Sequence, residues 1–168
     1  MTDHNSIPSR TGSFRAAVRA GSDVTEYTRS GAGRPILLLL RKSGNGNDFR
    51  TSIQEAIAAS FRVIAPEQIP DSGEFASWLA GFQDGLGLTQ TSIVADDEYG
   101  LAVFGFALLE PSRVDRLVLL SQKGPGYAEL DGTLAVPTES GSHPVLIVRP
   151  EPPVEDVAAK VVRFLLNG

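Results

Sequence analysis

A short apolar run that ends in a cluster of acidic residues carries the most evident chemistry in this sequence. The cluster consists of Asp96, Asp97, Glu98 and Tyr99. Crowded carboxylates raise one another's pKa, so they could act as general acid and base, as a nucleophile or as cation ligands. The plainer alternative is that the acids cap the following helix. No histidine or further carboxylate lies at ligand spacing nearby, so we expect no metal site.

A second candidate site is the basic, glycine-containing stretch that opens with Arg41, Lys42, Ser43 and Gly44 and ends at Asn47. It lies between a predicted strand and a predicted helix, where backbone amides and the helix dipole can hold an anion. The stretch lacks the Gly-Lys-Ser/Thr ending of a P-loop and the G-x-G-x-x-G fingerprint. Alternatively, its two cations neutralise the acidic cluster.

Composition limits the classes of function. The 168 residues suit one domain, and the net charge of −5 argues against nucleic-acid and anionic-membrane surfaces. With no cysteine, there is no disulfide framework and no thiolate nucleophile. The longest apolar run is too short to cross a bilayer, so we expect a cytoplasmic protein without a membrane partner.

The elements that would position both candidate sites alternate between strand and helix. Periodicity and turn signals predict a hairpin over residues 14–28, strands over 35–40, 61–65, 92–95, 114–120 and 144–148, and helices over 49–60, 73–86, 98–109 and 154–166. Residues 121–142 are predicted to be a long loop. This order predicts one domain over residues 14–168, after a flexible tail over 1–13. The expected fold is a three-layer α/β/α sandwich with a mainly parallel sheet of about seven strands. The aromatic face of the second helix is expected to be core, so no cofactor is predicted.

The order of these segments resembles the α/β-hydrolase superfamily over most of the chain. The likeness is carried by Gly33–Leu39 followed by Phe49, by Phe61–Glu67, by Leu79–Leu88 and by Glu110–Leu120, which is similar to the family phrase HPERVxRLVLL. The resemblance implies that the turn after the central strand is a nucleophile elbow, G-x-S-x-G. Counting back from Pro111 with the family's spacing places Asp97 at the nucleophile. A shift of one residue would place Glu98 there instead.

The resemblance also implies that the catalytic apparatus is degenerate. An Asp nucleophile occurs in the dehalogenase and epoxide-hydrolase branches, but that route needs a histidine base. His4 lies in the polar tail, and His143 precedes the last strand, roughly 15 Å from the elbow end of the sheet. Glu151 is the only candidate for the family's acid. Leu40 and Arg41 replace the oxyanion motif, and the family's lid and eighth strand are missing.

The leading hypothesis is therefore a capless, truncated α/β-hydrolase-like pseudoenzyme that acts as a binding or interaction module, with a small molecule as a candidate ligand. The first alternative is a minimal hydrolase in which Asp97 reacts, with a water held by Glu98 or Tyr99 or with a residue of a partner chain. The second is an anion- or nucleotide-binding domain that uses residues Arg41–Asn47. Without an eighth strand, Val145–Val148 is expected to be the sheet edge, so we predict a homodimer through this strand and the C-terminal helix.

Overall fold

The computed structural model describes residues 12–42, 49–71, 73–121, 132–138, 141–150 and 153–167, and over 132–138 and 141–143 it describes the backbone alone. The predicted tail lies almost entirely outside these residues, as do His4, Ser43, Gly44 and Glu151. Eight strands are described: β1 (Phe14–Ala20), β2 (Asp23–Ser30), β3 (Pro35–Leu39), β4 (Arg62–Pro66), β5 (Thr91–Asp96), β6 (Val114–Leu120), β7 (Gly132–Thr138) and β8 (Gly141–Val148). The helices are α1 (Phe49–Ala58), α2 (Phe75–Gly85), α3 (Gly100–Leu109) and α4 (Val154–Leu166).

The strands form one sheet in the order β1-β2-β4-β3-β5-β6-β8-β7. Strands β4, β3, β5, β6 and β8 are parallel, while β1, β2 and β7 join in antiparallel pairings. The prediction of a mainly parallel α/β sheet is therefore confirmed. Because parallel strands end at the same edge, the turns after β3, β4, β5 and β6 lie side by side.

Helices cover both faces of the sheet, as expected of three layers. Side chains alternate between the faces along β3: Leu38 lies in the core under α1 and α4, whereas Leu37 and Leu39 lie in the core under α2 and α3. This alternation follows from the period of two residues in a strand. The aromatic face of α2 is buried in the second core through Phe75, Trp78 and Phe82, as predicted.

The stretch predicted as a long loop, residues 121–142, contains a strand. Residues Gly132–Thr138 form β7, which pairs antiparallel with β8 from Gly132 opposite Ile147 to Thr138 opposite Gly141. Glycine and proline usually indicate a loop, but the outermost strand of a sheet tolerates both residues. The sheet therefore has eight strands rather than about seven.

The additional strand also corrects the position of Val145–Val148. This segment pairs with β6 on one side and with β7 on the other, so it is an interior strand and not the sheet edge. Its backbone groups are already used within the chain. The reason given for a homodimer through this strand is thus wrong, and the homodimer itself stays a prediction.

At the amino ends of the parallel strands, arginines and a glycine hold helices against the sheet. Arg34 donates a hydrogen bond to the carbonyl of Leu165, and Arg116 donates to the carbonyls of Phe164 and Asn167, at 3.2 Å each. Gly31 has a φ of 72°, and a Cβ on it would lie 2.1 Å from the carbonyl oxygen of Phe61. Only glycine fits this position. Among the helices described, none is both long and apolar enough to cross a membrane.

Candidate functional site

The acidic cluster forms the turn between β5 and α3. Asp96 is the last residue of β5, and α3 begins at Gly100. The turn is closed by the amide of Tyr99, which donates to the carbonyl of Asp96 at 3.2 Å, and by the amide of Glu98, which donates to Asp96 Oδ1 at 3.1 Å. The helix itself has no side-chain cap. Asp96 therefore shapes the turn through its side chain, and the N-cap residue Tyr99 makes no side-chain cap hydrogen bond.

The backbone of this turn is not left-handed. In the part of the chain that the structure describes, positive φ angles occur at glycines alone. A nucleophile elbow holds its nucleophile on a strained strand-to-helix turn, and left-handed backbone at a residue other than glycine is one form of such strain. Asp97 occupies the expected place between strand and helix without that conformation.

Asp96 and Glu98 connect this turn to the end of β3. The amide of Arg41 donates to Asp96 Oδ2 at 2.7 Å, and Arg41 Nε lies 3.4 Å from Glu98 Oε2. Partial burial raises the pKa of Asp96, against the effect of the amides that donate to it. Both side chains of the Arg41–Glu98 pair are largely exposed, so the pair contributes little to stability.

Asp97 connects the turn to the end of β6. Ser121 Oγ donates a hydrogen bond to Asp97 Oδ1. Strand pairing brings the two residues together, because Asp96 is the register partner of Leu120, which precedes Ser121. Sequence reasoning placed Ser121 at this end of the sheet but gave it no role.

Tyr99 is partly buried against the core under α2 and α3. Burial raises the pKa of its phenol to about 12, and the nearby carboxylates of Glu98 and Asp96 contribute to this increase. The phenol therefore keeps its proton at neutral pH. It can donate a hydrogen bond, but it is a poor base.

Lys42 pairs with a carboxylate outside the acidic cluster. Its Nζ instead binds the carboxylate of Glu67, which follows β4. The hydrogen bond from Lys42 lowers the pKa of Glu67. Sequence reasoning missed Glu67 as a site residue. The signal was its place at the end of the strand beside β3, where the family usually has the Asp of Pro-Asp.

These contacts join the ends of four adjacent strands into one carboxyl-end network. Its members are Arg41, Lys42, Glu67, Asp96, Asp97, Glu98 and Ser121. Lys42 and Glu67 also line a cleft of about 400 Å³ between the network and α1. Arg50, a residue that is 8% exposed, lines the same cleft and donates to the carbonyl of Pro66 at 3.3 Å. The remaining lining is mostly hydroxyl and amide groups, among them Thr28, Ser30, Thr51 and Gln54.

The histidine that lies within a described strand is distant from the network along the sheet. His143 lies in β8, five residues before Val148, and Val148 pairs with Leu120 at the carboxyl end. Five residues of strand span roughly 16 Å. Within the described ranges, no group of three or more His, Cys, Asp or Glu side chains could hold a metal ion. The network therefore offers carboxylates, one hydroxyl and cations, and no described histidine base.

The chain is similar in sequence to two curated hydrolases. No family model matches the chain. The 2-hydroxy-6-oxo-2,4-heptadienoate hydrolase of Pseudomonas putida is 33% identical over 135 residues, which cover 71% of this chain and 48% of that protein. A 2-hydroxy-6-oxononadienedioate/2-hydroxy-6-oxononatrienedioate hydrolase of Dechloromonas aromatica is 29% identical over 129 residues, which cover 67% of this chain and 44% of that protein.

The solved structures give the same fold. The 2-hydroxy-6-oxo-6-phenylhexa-2,4-dienoate hydrolase of Rhodococcus sp. strain RHA1 superposes with a TM-score of 0.55 at 19% identity, covering 71% of this chain and 52% of that one. The chain thus spans about half the length of the curated relatives that it matches. Together with the sheet order and the helical layers, these likenesses identify the chain as a protein of the α/β-hydrolase fold.

Proposed function

We propose that this chain is a non-catalytic binding module of the α/β-hydrolase fold, and that its ligand is a small carboxylate held in the cleft beside the carboxyl-end network. The proposal rests on the hydrogen bonding and the backbone conformation of Asp97. At the nucleophile position this carboxylate accepts a hydrogen bond from Ser121, and its backbone is not left-handed. A carboxylate nucleophile also needs a base to release its ester, and the described residues near Asp97 include no histidine.

The lining of the cleft supports the choice of ligand. Lys42 and Arg50 bring two cations to the cleft, which also holds the carboxylates of Glu55 and Glu67. The rest of the wall is mostly hydroxyl and amide groups. Such groups are suited to the charged and polar end of a small acid. The names of the curated relatives describe dienoate substrates, which are carboxylates. We therefore propose a carboxylate ligand for this chain, without the hydrolysis.

Binding is tested with 2,4-hexadienoate as the probe. We expect a saturable increase in the melting temperature, because a ligand that binds the folded state stabilises it. Thr51→Trp should abolish the increase, because Thr51 is exposed on α1 and lines the cleft without belonging to the network. Ala59→Trp, an exposed change outside the cleft lining, is the matched control and should leave the increase intact. No stabilisation of the wild type would overturn the choice of ligand.

Catalysis is tested separately with 2-hydroxy-6-oxo-2,4-heptadienoate, a simple ester and an epoxide. We expect no turnover above that of the buffer. Turnover that Asp97→Asn abolishes would overturn the non-catalytic part of the proposal and favour the second candidate, a minimal hydrolase with Asp97 as nucleophile. That candidate is supported by the position of Asp97 after β5 and by the hydrolase names of the relatives.

The anion- or nucleotide-binding alternative has less support. Arg41 pairs with Glu98 and Lys42 with Glu67, so an anion at this loop would compete with a carboxylate at each cation. The cleft shares Lys42 but adds Arg50, which donates to the backbone carbonyl of Pro66. Stabilisation by inorganic phosphate that is lost in Arg41→Ala would favour this alternative over the carboxylate cleft.

A further inference from the structure

One of the two cations in the proposed ligand cleft already holds a carboxylate of the chain. Lys42 Nζ binds the carboxylate of Glu67, and both residues line the cleft. The hydrogen bond from Lys42 is the largest cause of the lowered pKa of Glu67, so this glutamate is charged at neutral pH. A ligand carboxylate that approaches Lys42 therefore meets an anion of its own chemical class.

The two partners of this ion pair are held to different degrees. The side chain of Glu67 is 16% exposed, and the backbone amide of Glu67 donates to the carbonyl of Glu26 at 2.8 Å. The side chain of Lys42 is 54% exposed, and a lysine carries its ammonium on a flexible aliphatic stem. The glutamate is therefore fixed at the wall of the cleft, whereas the ammonium of Lys42 can turn toward another anion.

Two further cations act on the charge of Glu67. The positive charges of Arg15 and Arg50 both help to lower its pKa, after the larger effect of Lys42. Arg15 lies on β1 opposite Thr28, and Arg50 lines the cleft. An unpaired charge in a largely buried position is costly. Because Arg15 and Arg50 stay near Glu67 when Lys42 turns away, an exchange of partners does not leave this carboxylate isolated.

We infer, on the basis of the proposed function, that Glu67 competes with the ligand carboxylate for Lys42 and thereby sets the affinity of the cleft. In the free chain, Glu67 neutralises Lys42. In the bound chain, the ligand carboxylate takes the ammonium of Lys42, and Glu67 remains beside Arg15 and Arg50. Because the attraction between Lys42 and Glu67 is lost on binding, the ligand binds more weakly than the two cations of the cleft alone would allow.

Calorimetric titration of the full chain with 2,4-hexadienoate tests this competition. Glu67→Gln keeps the shape of the side chain and removes its charge, so we expect the dissociation constant to fall about fivefold. Glu55→Gln is the matched control, because Glu55 is exposed on α1 and lines the same cleft but is not the partner of Lys42. It should change the dissociation constant by less than about twofold. Equal gains in affinity from both changes would overturn the inference.

The background Lys42→Met distinguishes competition from simple repulsion. Without the ammonium, Glu67 has no cation to withhold from the ligand, so Glu67→Gln should then change the dissociation constant by less than about twofold. A gain of about fivefold that persists in this background would show that Glu67 repels the ligand and would overturn the inference. Circular dichroism checks that each variant folds.

The same titrations separate this inference from the proposed function. If the wild type and Glu67→Gln bind 2,4-hexadienoate with equal affinity, Glu67 does not compete for Lys42, and the proposed function stands. If neither of them binds the probe, the proposed function fails and the competition fails with it.

Discussion

The two ends of the parallel strands use their charged residues differently. At the amino end, Arg34 and Arg116 donate to backbone carbonyls in the last turn of α4, and Gly31 lies where a side chain has no room. At the carboxyl end, Arg41 and Lys42 pair with carboxylates of neighbouring loops. Contacts with fixed backbone hold helices in place, whereas an exposed ion pair such as Arg41–Glu98 contributes little to stability. In the second pair, Lys42 is half-exposed and the side chain of Glu67 is 16% exposed. The amino end therefore stabilises the fold, and the carboxyl end can change its side chains at small cost.

The largest expected effect is at the amino end, in Gly31→Ala. The new Cβ would meet the carbonyl oxygen of Phe61 at 2.1 Å and that of Ala58 at 2.3 Å, at a φ of 72°. We expect the free energy of unfolding to fall by about 2–4 kcal/mol, measured by urea denaturation. Gly21→Ala is the matched control, because its φ is 67° and nothing lies within 4 Å of the added Cβ. It should lose only about 1 kcal/mol. Equal losses would show that close packing at Gly31 adds nothing.

A smaller effect is expected in Arg116→Ala. The change removes two hydrogen bonds to carbonyls of α4 and the guanidinium that lies 5.2 Å from the ring centroid of Phe164. Hydrogen bonds from charged groups contribute about 1.5–3 kcal/mol, so we expect a loss of about 2 kcal/mol in the free energy of unfolding. The control is Arg163→Ala on the exposed side of α4, expected to change stability by less than about 0.5 kcal/mol. If Arg116→Ala lost no more free energy of unfolding than Arg163→Ala, the amino end of the sheet would not be the more stabilising end.

The smallest effect is expected at the carboxyl end, in Glu67→Gln. Pairing with Lys42 lowers the pKa of Glu67, so its charged form stabilises the fold above the ordinary glutamate pKa of 4.5, and this contribution is lost as the pH falls below that value. The variant should lose about 0.5 kcal/mol at pH 7 and match the wild type in acid. Unfolding curves at several pH values measure this difference. A loss at pH 7 that exceeds the loss in Arg116→Ala would reverse the comparison.

The central part of the fold could be predicted from sequence because its signals are local. The apolar run of β3 is too continuous for a half-exposed strand, and the apolar spacing of α4 has the period of a helix. Strand β7 was missed because Gly132 and Pro137 read as loop residues. Their tolerance comes from an outermost position in the sheet, and that position depends on pairing with β8, which no local pattern shows.

The position of the candidate site could be predicted from the sequence, but the contacts between its residues could not. The end of β5 was expected to carry it, and Asp96, Asp97 and Glu98 do form that turn. The contact of Ser121 with Asp97 depends on the register of two strands, and the pairing of Lys42 with Glu67 depends on which loop lies beside which. Sequence reasoning gave both cations to the acidic cluster because their spacing alone does not distinguish two neighbouring carboxylates.

The hairpin of β7 and β8 has a consequence for the order of folding. Thr138 pairs with Gly141, so the hairpin closes a very short loop, whereas β8 reaches β6 only after residues 121–140 are brought round. Short loops close at lower entropic cost and sooner than long ones. We expect the hairpin to form first and to dock onto β6 as a unit, so that β8 is already protected on one side when the sheet is completed.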